Sequence, residues 1–152
     1  AEALELCARK ENVRVLVTDD DPDARELMGS LLRPHGAYVT SVGSAHDALE
    51  ALDHERFDVL LSDLAMPDQD GYALTSAIRH DPRPFVRDLR AIAVTAYADE
   101  VHRSRAFASG FDDYLTKPVE RSRLLRLLAD TISRDPHRET GGASSNPIHK
   151  DS

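Results

Sequence analysis

Five apolar runs, residues 13–17, 38–42, 58–61, 91–94 and 113–116, alternate along this chain with stretches whose apolar residues recur at helical spacing. Ala24, Leu27, Met28 and Leu31 form one stripe, Ala45, Ala48, Leu49 and Leu52 a second, and Leu74, Ala77 and Ile78 a third. The fourth, near 99–109, is the weakest, with Val101, Ala106 and Phe107 spread around it, whereas Leu124, Leu125, Leu127, Leu128 and Ile132 make a strong fifth. Runs 59–61 and 91–94 are apolar at every position, the mark of parallel strands covered by helices on both faces. Five β/α units with right-handed crossovers predict an α/β domain, a three-layer doubly wound five-stranded parallel sheet.

Punctuation agrees with this pattern. Asp21-Pro22 supplies an N-cap and a first-turn proline, and Ser44 can cap the second helix. Pro34 cannot continue the first helix, which therefore stops in Arg33-Pro34-His35-Gly36. Residues 1–11 read as a linker or short helix, 12–133 as the domain, and 134–152, with Gly-Gly-Ala-Ser-Ser-Asn-Pro, as a disordered tail. The chain begins Ala1-Glu2 rather than with Met, which points to processing or to a piece of a longer protein.

Composition narrows the class. A formal charge of −8 argues against a nucleic-acid-binding surface, which needs clustered Lys and Arg. No apolar run approaches the ~20 residues of a membrane span, and no secretory leader is visible. The single cysteine, Cys7, excludes an internal disulfide framework and fits a reducing cytoplasm.

The chemistry sits where the apolar runs end. Asp19-Asp20 follow the first run, Asp63 the third, Thr95 the fourth and Lys117-Pro118 the fifth. Ligands of open parallel sheets bind at the carboxyl ends of strands, so these residues describe one site. Carboxylates ~4–5 Å apart repel by several kcal/mol at an effective dielectric near 20, so a proton or a cation must sit among them. All-oxygen donors favour Mg²⁺ or Mn²⁺, and Mg²⁺ uses one or two carboxylates with waters and phosphate oxygens. One acid is then free to act as a nucleophile. Asp63 suits that role, since it ends the most apolar strand and is followed by Pro67 and Gly71 in a loop able to bend around a ligand. A carboxylate can attack phosphorus to give an acyl phosphate, with Lys117 and a metal neutralising oxygen charge and Thr95 donating a hydrogen bond. Asp21 and Asp70 read instead as helix caps.

Four stretches carry a resemblance: 15–23 (Val-Leu-Val-Thr-Asp-Asp-Asp-Pro-Asp), 58–71 (Asp-Val-Leu-Leu-Ser-Asp-Leu-Ala-Met-Pro-Asp-Gln-Asp-Gly), 93–96 (Ala-Val-Thr-Ala) and 110–118 (Gly-Phe-Asp-Asp-Tyr-Leu-Thr-Lys-Pro). With these, residues 13–133 resemble the receiver domain of bacterial two-component response regulators. The resemblance implies a flavodoxin-like, CheY-like fold with strand order 2-1-3-4-5. It implies Asp63 as phosphoacceptor, with Asp20 a direct Mg²⁺ ligand and Asp19 holding a metal-bound water. Asp63 and the Ala65 carbonyl complete the protein's share of the coordination. Lys117 contacts the phosphoryl group, Lys117-Pro118 is expected to be cis, and Thr95 with Tyr114 forms the switch pair. Two positions that vary in such a family are expected to set phosphate lifetime: Ala65, which cannot orient an attacking water, and Tyr97, bulky enough to cover the phosphoryl group.

The expected function is a phosphorylation-dependent signalling switch, cytoplasmic, either a single-domain response regulator or the receiver of a hybrid histidine kinase. Its implied partners are a histidine kinase or histidine phosphotransfer protein and a downstream protein. A homodimer through the fourth helix, fifth strand and fifth helix is a further expectation. Two other classes stand beside this one: a Mg²⁺-dependent phosphohydrolase working through an aspartyl phosphate, and a non-phosphorylated scaffold. No second carboxylate base or substrate pocket is visible near Asp63 in the sequence. His54-Glu55-Arg56 is read as surface, and no Gly-x-x-x-x-Gly-Lys loop supports a nucleotide site.

Overall fold

The computed structural model describes residues 13–66 and 69–134. Strands β1 (Arg14–Thr18), β2 (Tyr38–Val42), β3 (Val59–Ser62), β4 (Arg90–Thr95) and β5 (Asp113–Thr116) pair in parallel in the order β2-β1-β3-β4-β5. Helices α1 (Pro22–Leu32), α2 (Ala45–His54), α3 (Gly71–Arg79), α5 (Glu100–Ser109) and α6 (Arg121–Arg134) are the five in the sequence pattern. A one-turn helix, α4 (Pro84–Arg87), lies between α3 and β4, so the fourth and fifth helical stripes are α5 and α6. It had no apolar stripe to announce it; Pro84 at its first position was the available signal.

Alternation along the three central strands divides the core in two. Val15, Val17, Val59, Leu61, Ile92 and Val94 face α1 and α6, meeting Met28, Leu32, Leu124, Leu125 and Leu128. Leu16, Leu60, Ala91 and Ala93 face the other side with Ala45, Ala48, Leu52, Leu74, Ile78 and Ala106. Every residue of β3 is buried, as a central strand covered on both faces requires. In α1 the buried residues are Met28, Gly29 and Leu32, while Leu27 is 58% exposed. The helix is thus rotated from its apparent stripe, because Met28 and Leu32 are the pair aimed at the sheet.

Side-chain caps fix the helix starts. Asp21 accepts from Asp23 N–H at 3.0 Å, Ser44 Oγ from Asp47 N–H at 3.1 Å, and Asp70 from Ala73 N–H at 2.9 Å. Gly36 closes the 3₁₀ turn Arg33–His35 with φ 95°. The expected linker at 1–11 with Cys7, the tail at 134–152 except the backbone of Arg134, and Pro67 lie outside the described residues. Among the described residues no helix is long and apolar enough to cross a membrane.

Candidate functional site

Register brings the strand-end acids of β1 and β3 to one level. Thr18 pairs with Ser62, and each is followed directly by an acid, Asp19 and Asp63. The ladder continues one residue further, with Asp63 N–H donating to Thr18 O at 2.9 Å and Asp19 N–H to Val42 O at 3.1 Å. At the other edge Thr95 pairs with Thr116, and Lys117 N–H donates to Thr95 O at 2.8 Å. Two carboxylates therefore leave the adjacent strands β1 and β3 at the same height, whereas Lys117 leaves β5, beyond β4 and two residues further along the register, and its side chain reaches back to them; Lys117–Pro118 is cis.

Lys117 Nζ bridges the acids, 2.8 Å from Asp19 Oδ2 and 3.3 Å from Asp63 Oδ2. Burial pulls its pKa down, but the hydrogen bond to Asp19 and the charges of Asp63 and Asp19 outweigh burial and hold it above its ordinary value. Asp63 Oδ1 accepts from Leu64 N–H at 2.7 Å and Ala65 N–H at 3.4 Å. Asp19 is 5% exposed, and its Oδ1 accepts from Asp21 N–H at 3.0 Å. Asp20 is exposed, yet one oxygen each from Asp19, Asp20 and Asp63 fall within 4.8 Å of one another. Three hard oxygen donors so close, only two of them in contact with the Lys117 ammonium, fit a small divalent cation.

Gly71 shapes the floor, as the first residue of α3 rather than part of the preceding loop. Its N–H donates to Leu64 O at 2.9 Å, and a Cβ there would stand 2.2 Å from the Asp63 carbonyl oxygen. Arg25, on α1, donates to Asp19 O at 2.7 Å and lies against Gly43, so it holds the backbone of the acid pair. Nothing in the sequence singled it out, since an arginine on a polar helix face carries no signal of its target.

Thr95 is 1% exposed and Tyr114 is buried. Both bond to Tyr97: Tyr97 N–H donates to Thr95 Oγ1 at 3.2 Å, and Tyr114 OH donates to Tyr97 O at 2.5 Å. Burial raises the Tyr114 pKa, with Asp99 adding to the effect, so the phenol stays protonated and donates. The Tyr97 ring stacks on His102. An apolar cavity of about 100 Å³ abuts Asp19, Asp63 and Lys117. It runs between Leu27, Met28 and Leu31 of α1 and Pro118-Val119, and brings no carboxylate beyond Asp19 to Asp63.

Comparison with known proteins places the fold and the family. Residues 15–129 match the family model of the response regulator receiver domain. An uncharacterized 14.6 kDa protein of Leptolyngbya boryana is 47% identical over 114 residues, covering 75% of this chain and 86% of that protein. The histidine-protein kinase BarA of Shigella flexneri is 34% identical over 136 residues, which span 82% of this chain and only 15% of BarA. Among solved structures, the receiver domain of sensor histidine kinase PA1611 from Pseudomonas aeruginosa superposes with a TM-score of 0.73 at 32% identity, covering 80% of this chain and 98% of that domain. That structure has a magnesium ion coordinated in its active-site cleft.

Proposed function

The chain belongs to the response regulator receiver domains of two-component signalling, and on that premise we propose that Asp63 accepts a phosphoryl group from a phosphohistidine and thereby switches the domain. The observation that carries this reading is the lysine held between two carboxylates at the ends of adjacent strands. A carboxylate oxygen of Asp63 attacks phosphorus; the P–O bond forms as the P–N bond to the donor imidazole breaks, and the imidazole leaves neutral after taking a proton. Lys117 neutralises charge on the phosphoryl oxygens, and the Thr95 hydroxyl donates to one of them. Asp19, Asp20, Asp63 and the Ala65 carbonyl would hold Mg²⁺, or Mn²⁺, which supplies further charge neutralisation.

The donor in this reading is a histidine kinase or a histidine phosphotransfer protein. Thr95 transfers the event to Tyr114 and biases the face made by α5, β5 and α6 between two packings, where a downstream protein or a second copy docks. The likeness to a segment of BarA makes a hybrid kinase one setting, and a single-domain regulator is the other. Either setting places the domain in the cytoplasm. Ala65 and Tyr97 give the aspartyl phosphate a longer life than polar residues would; an Ala65→Asn, Tyr97→Glu variant should lose its phosphoryl group faster than the wild type.

The test is intact mass after incubation with Mg²⁺ and a small phosphodonor such as acetyl phosphate. One added phosphoryl group, absent in Asp63→Asn, is expected. Rapid multiple turnover of a phosphoester would identify a phosphohydrolase instead, and an unmodified protein a scaffold.

A further inference from the structure

The loop after β4 carries more bonding than its length demands. Both residues of the proposed switch hold the backbone of Tyr97, Thr95 through Tyr97 N–H at 3.2 Å and Tyr114 through Tyr97 O at 2.5 Å. The ring is held separately. It lies on the imidazole of His102 with centroids 4.0 Å apart and planes 23° apart. His102 is itself fixed, because its Nδ1 sits 2.7 and 2.8 Å from the two carboxylate oxygens of Asp99. A carboxylate only accepts, so Nδ1 carries the proton and the ring orientation is set. Asp99 also caps α5 by accepting from His102 N–H at 3.1 Å. A tyrosine 39% exposed is thus docked on the first turn of α5 by a dedicated pair of side chains.

We propose that His102, anchored by Asp99, is a positioning residue that draws the Tyr97 ring onto α5 and so limits the fraction of time that ring covers the phosphoryl site. The proposal rests on the reading that Asp63 is phosphorylated and that Tyr97 governs the lifetime of the product. In hydrolysis a water oxygen attacks phosphorus and the P–O bond to Asp63 breaks. The carboxylate and inorganic phosphate are released, and the water's proton passes to solvent. On that reading of Tyr97, a ring released from His102 covers the phosphoryl group more of the time and excludes that water. One aromatic contact shifts a two-position equilibrium by roughly two- to tenfold, which is the ceiling on the change in half-life, since only the uncovered fraction hydrolyses.

The experiment loads wild type, His102→Ala, His102→Phe, Tyr97→Ala and the double variant His102→Ala, Tyr97→Ala with acetyl phosphate and Mg²⁺, removes the donor and follows decay by intact mass. His102→Ala should lengthen the half-life, by up to roughly tenfold. His102→Phe, which keeps a flat ring for the stack but loses the bond to Asp99, should bring the half-life back toward the wild-type value, and the double variant should match Tyr97→Ala. A His102→Ala half-life equal to wild type, or the same lengthening without Tyr97, overturns the proposal. Proton NMR without a phosphodonor tests the stack alone: the His102 ring resonance should lie upfield and move back in Tyr97→Ala, and an unmoved resonance overturns it as well. If the stack signature holds while no variant takes a phosphoryl group, the phosphoacceptor reading has failed and the lifetime role falls with it.

Discussion

Replacing Lys117 with Met keeps the aliphatic stem and removes the ammonium that lies 2.8 Å from Asp19 and 3.3 Å from Asp63. At an effective dielectric near 20 these attractions are ~6 and ~5 kcal/mol. Desolvation of three charges offsets most of that, and removing one member of a buried pair typically costs about 3–5 kcal/mol. Lys117 keeps 29% of its side-chain surface exposed, so a loss of about 2–3 kcal/mol is expected in the metal-free protein. Divalent cation should then reverse the comparison. The ammonium competes for Asp19 Oδ2, so the variant binds Mg²⁺ more tightly, and a ligand at 100 times its Kd adds about 2.7 kcal/mol to the folded state. Urea unfolding followed by far-UV circular dichroism, in EDTA and in millimolar Mg²⁺, measures both. The gap should be about 2–3 kcal/mol in EDTA and fall below about 1 kcal/mol with Mg²⁺. A variant as stable as wild type in EDTA would refute the account of the lysine as counter-ion. A gap indifferent to Mg²⁺ would refute the account of the acids as a cation site.

Gly71→Ala should cost about 2–3 kcal/mol in thermal or urea unfolding, because its Cβ would press to 2.2 Å on the Asp63 carbonyl oxygen and 3.0 Å on Leu64 Cα, both backbone atoms. A loss below about 0.5 kcal/mol would contradict the close approach. Arg79→Ala removes the guanidinium that donates to the carbonyls of Gly110, Arg87 and Leu89 and to Asp112, and should destabilise by about 2–4 kcal/mol while leaving phosphoryl uptake on the folded protein unchanged. Asp81 is held down to about 2 by hydrogen bonds from the Arg83 side chain and backbone. A depressed acid stabilises above its unfolded value near 3.8 and loses that contribution as pH falls toward its folded value, so the stability difference between wild type and Asp81→Asn should be flat above about pH 5 and shrink below 4. Shrinkage beginning near neutrality would show that another group controls it.

Parts of this molecule were legible in the sequence for one physical reason: strand-end position converts chain order into spatial neighbourhood. Asp19 and Asp63 follow strand residues that pair with each other at the end of their ladder, and Lys117 follows the partner of Thr95 two residues further along, within reach of a lysine side chain, so the apolar-run pattern goes most of the way to bringing them together. Caps such as Asp21, Ser44 and Asp70 were readable because a cap bonds within a few residues of itself. The Arg25 contact to Asp19, the docking of Tyr97 on His102 and the bond from Tyr114 to Tyr97 were not readable. Each depends on where a long or planar side chain points after the helices have settled, which residue spacing does not encode. The rotation of α1 belongs here too, since Leu27 and Met28 are equivalent as letters, and only packing against Val15 and Val17 distinguishes them.

The weakest stripe in the sequence is also the key to how a small event could travel. Of the ten residues of α5 only Ala106 is buried; Val101 is 75% and Phe107 40% exposed. The helix is placed mainly by its ends, Asp99 capping the first turn and Gly110, at φ 119° and tight against Arg79, closing the last. Elements with so few buried contacts occupy the low-stability end of a protein's local unfolding energies. By contrast α6 sinks Leu124, Leu125 and Leu128 into the core, so moving it would expose three leucines at about 1.5–3 kcal/mol each. Coupling energies between sites are typically about 1–3 kcal/mol, enough to displace α5 and too little to displace α6. On that comparison the movable part of the proposed output face is α5 with the Tyr97 loop, and α6 is the fixed surface against which its movement is read.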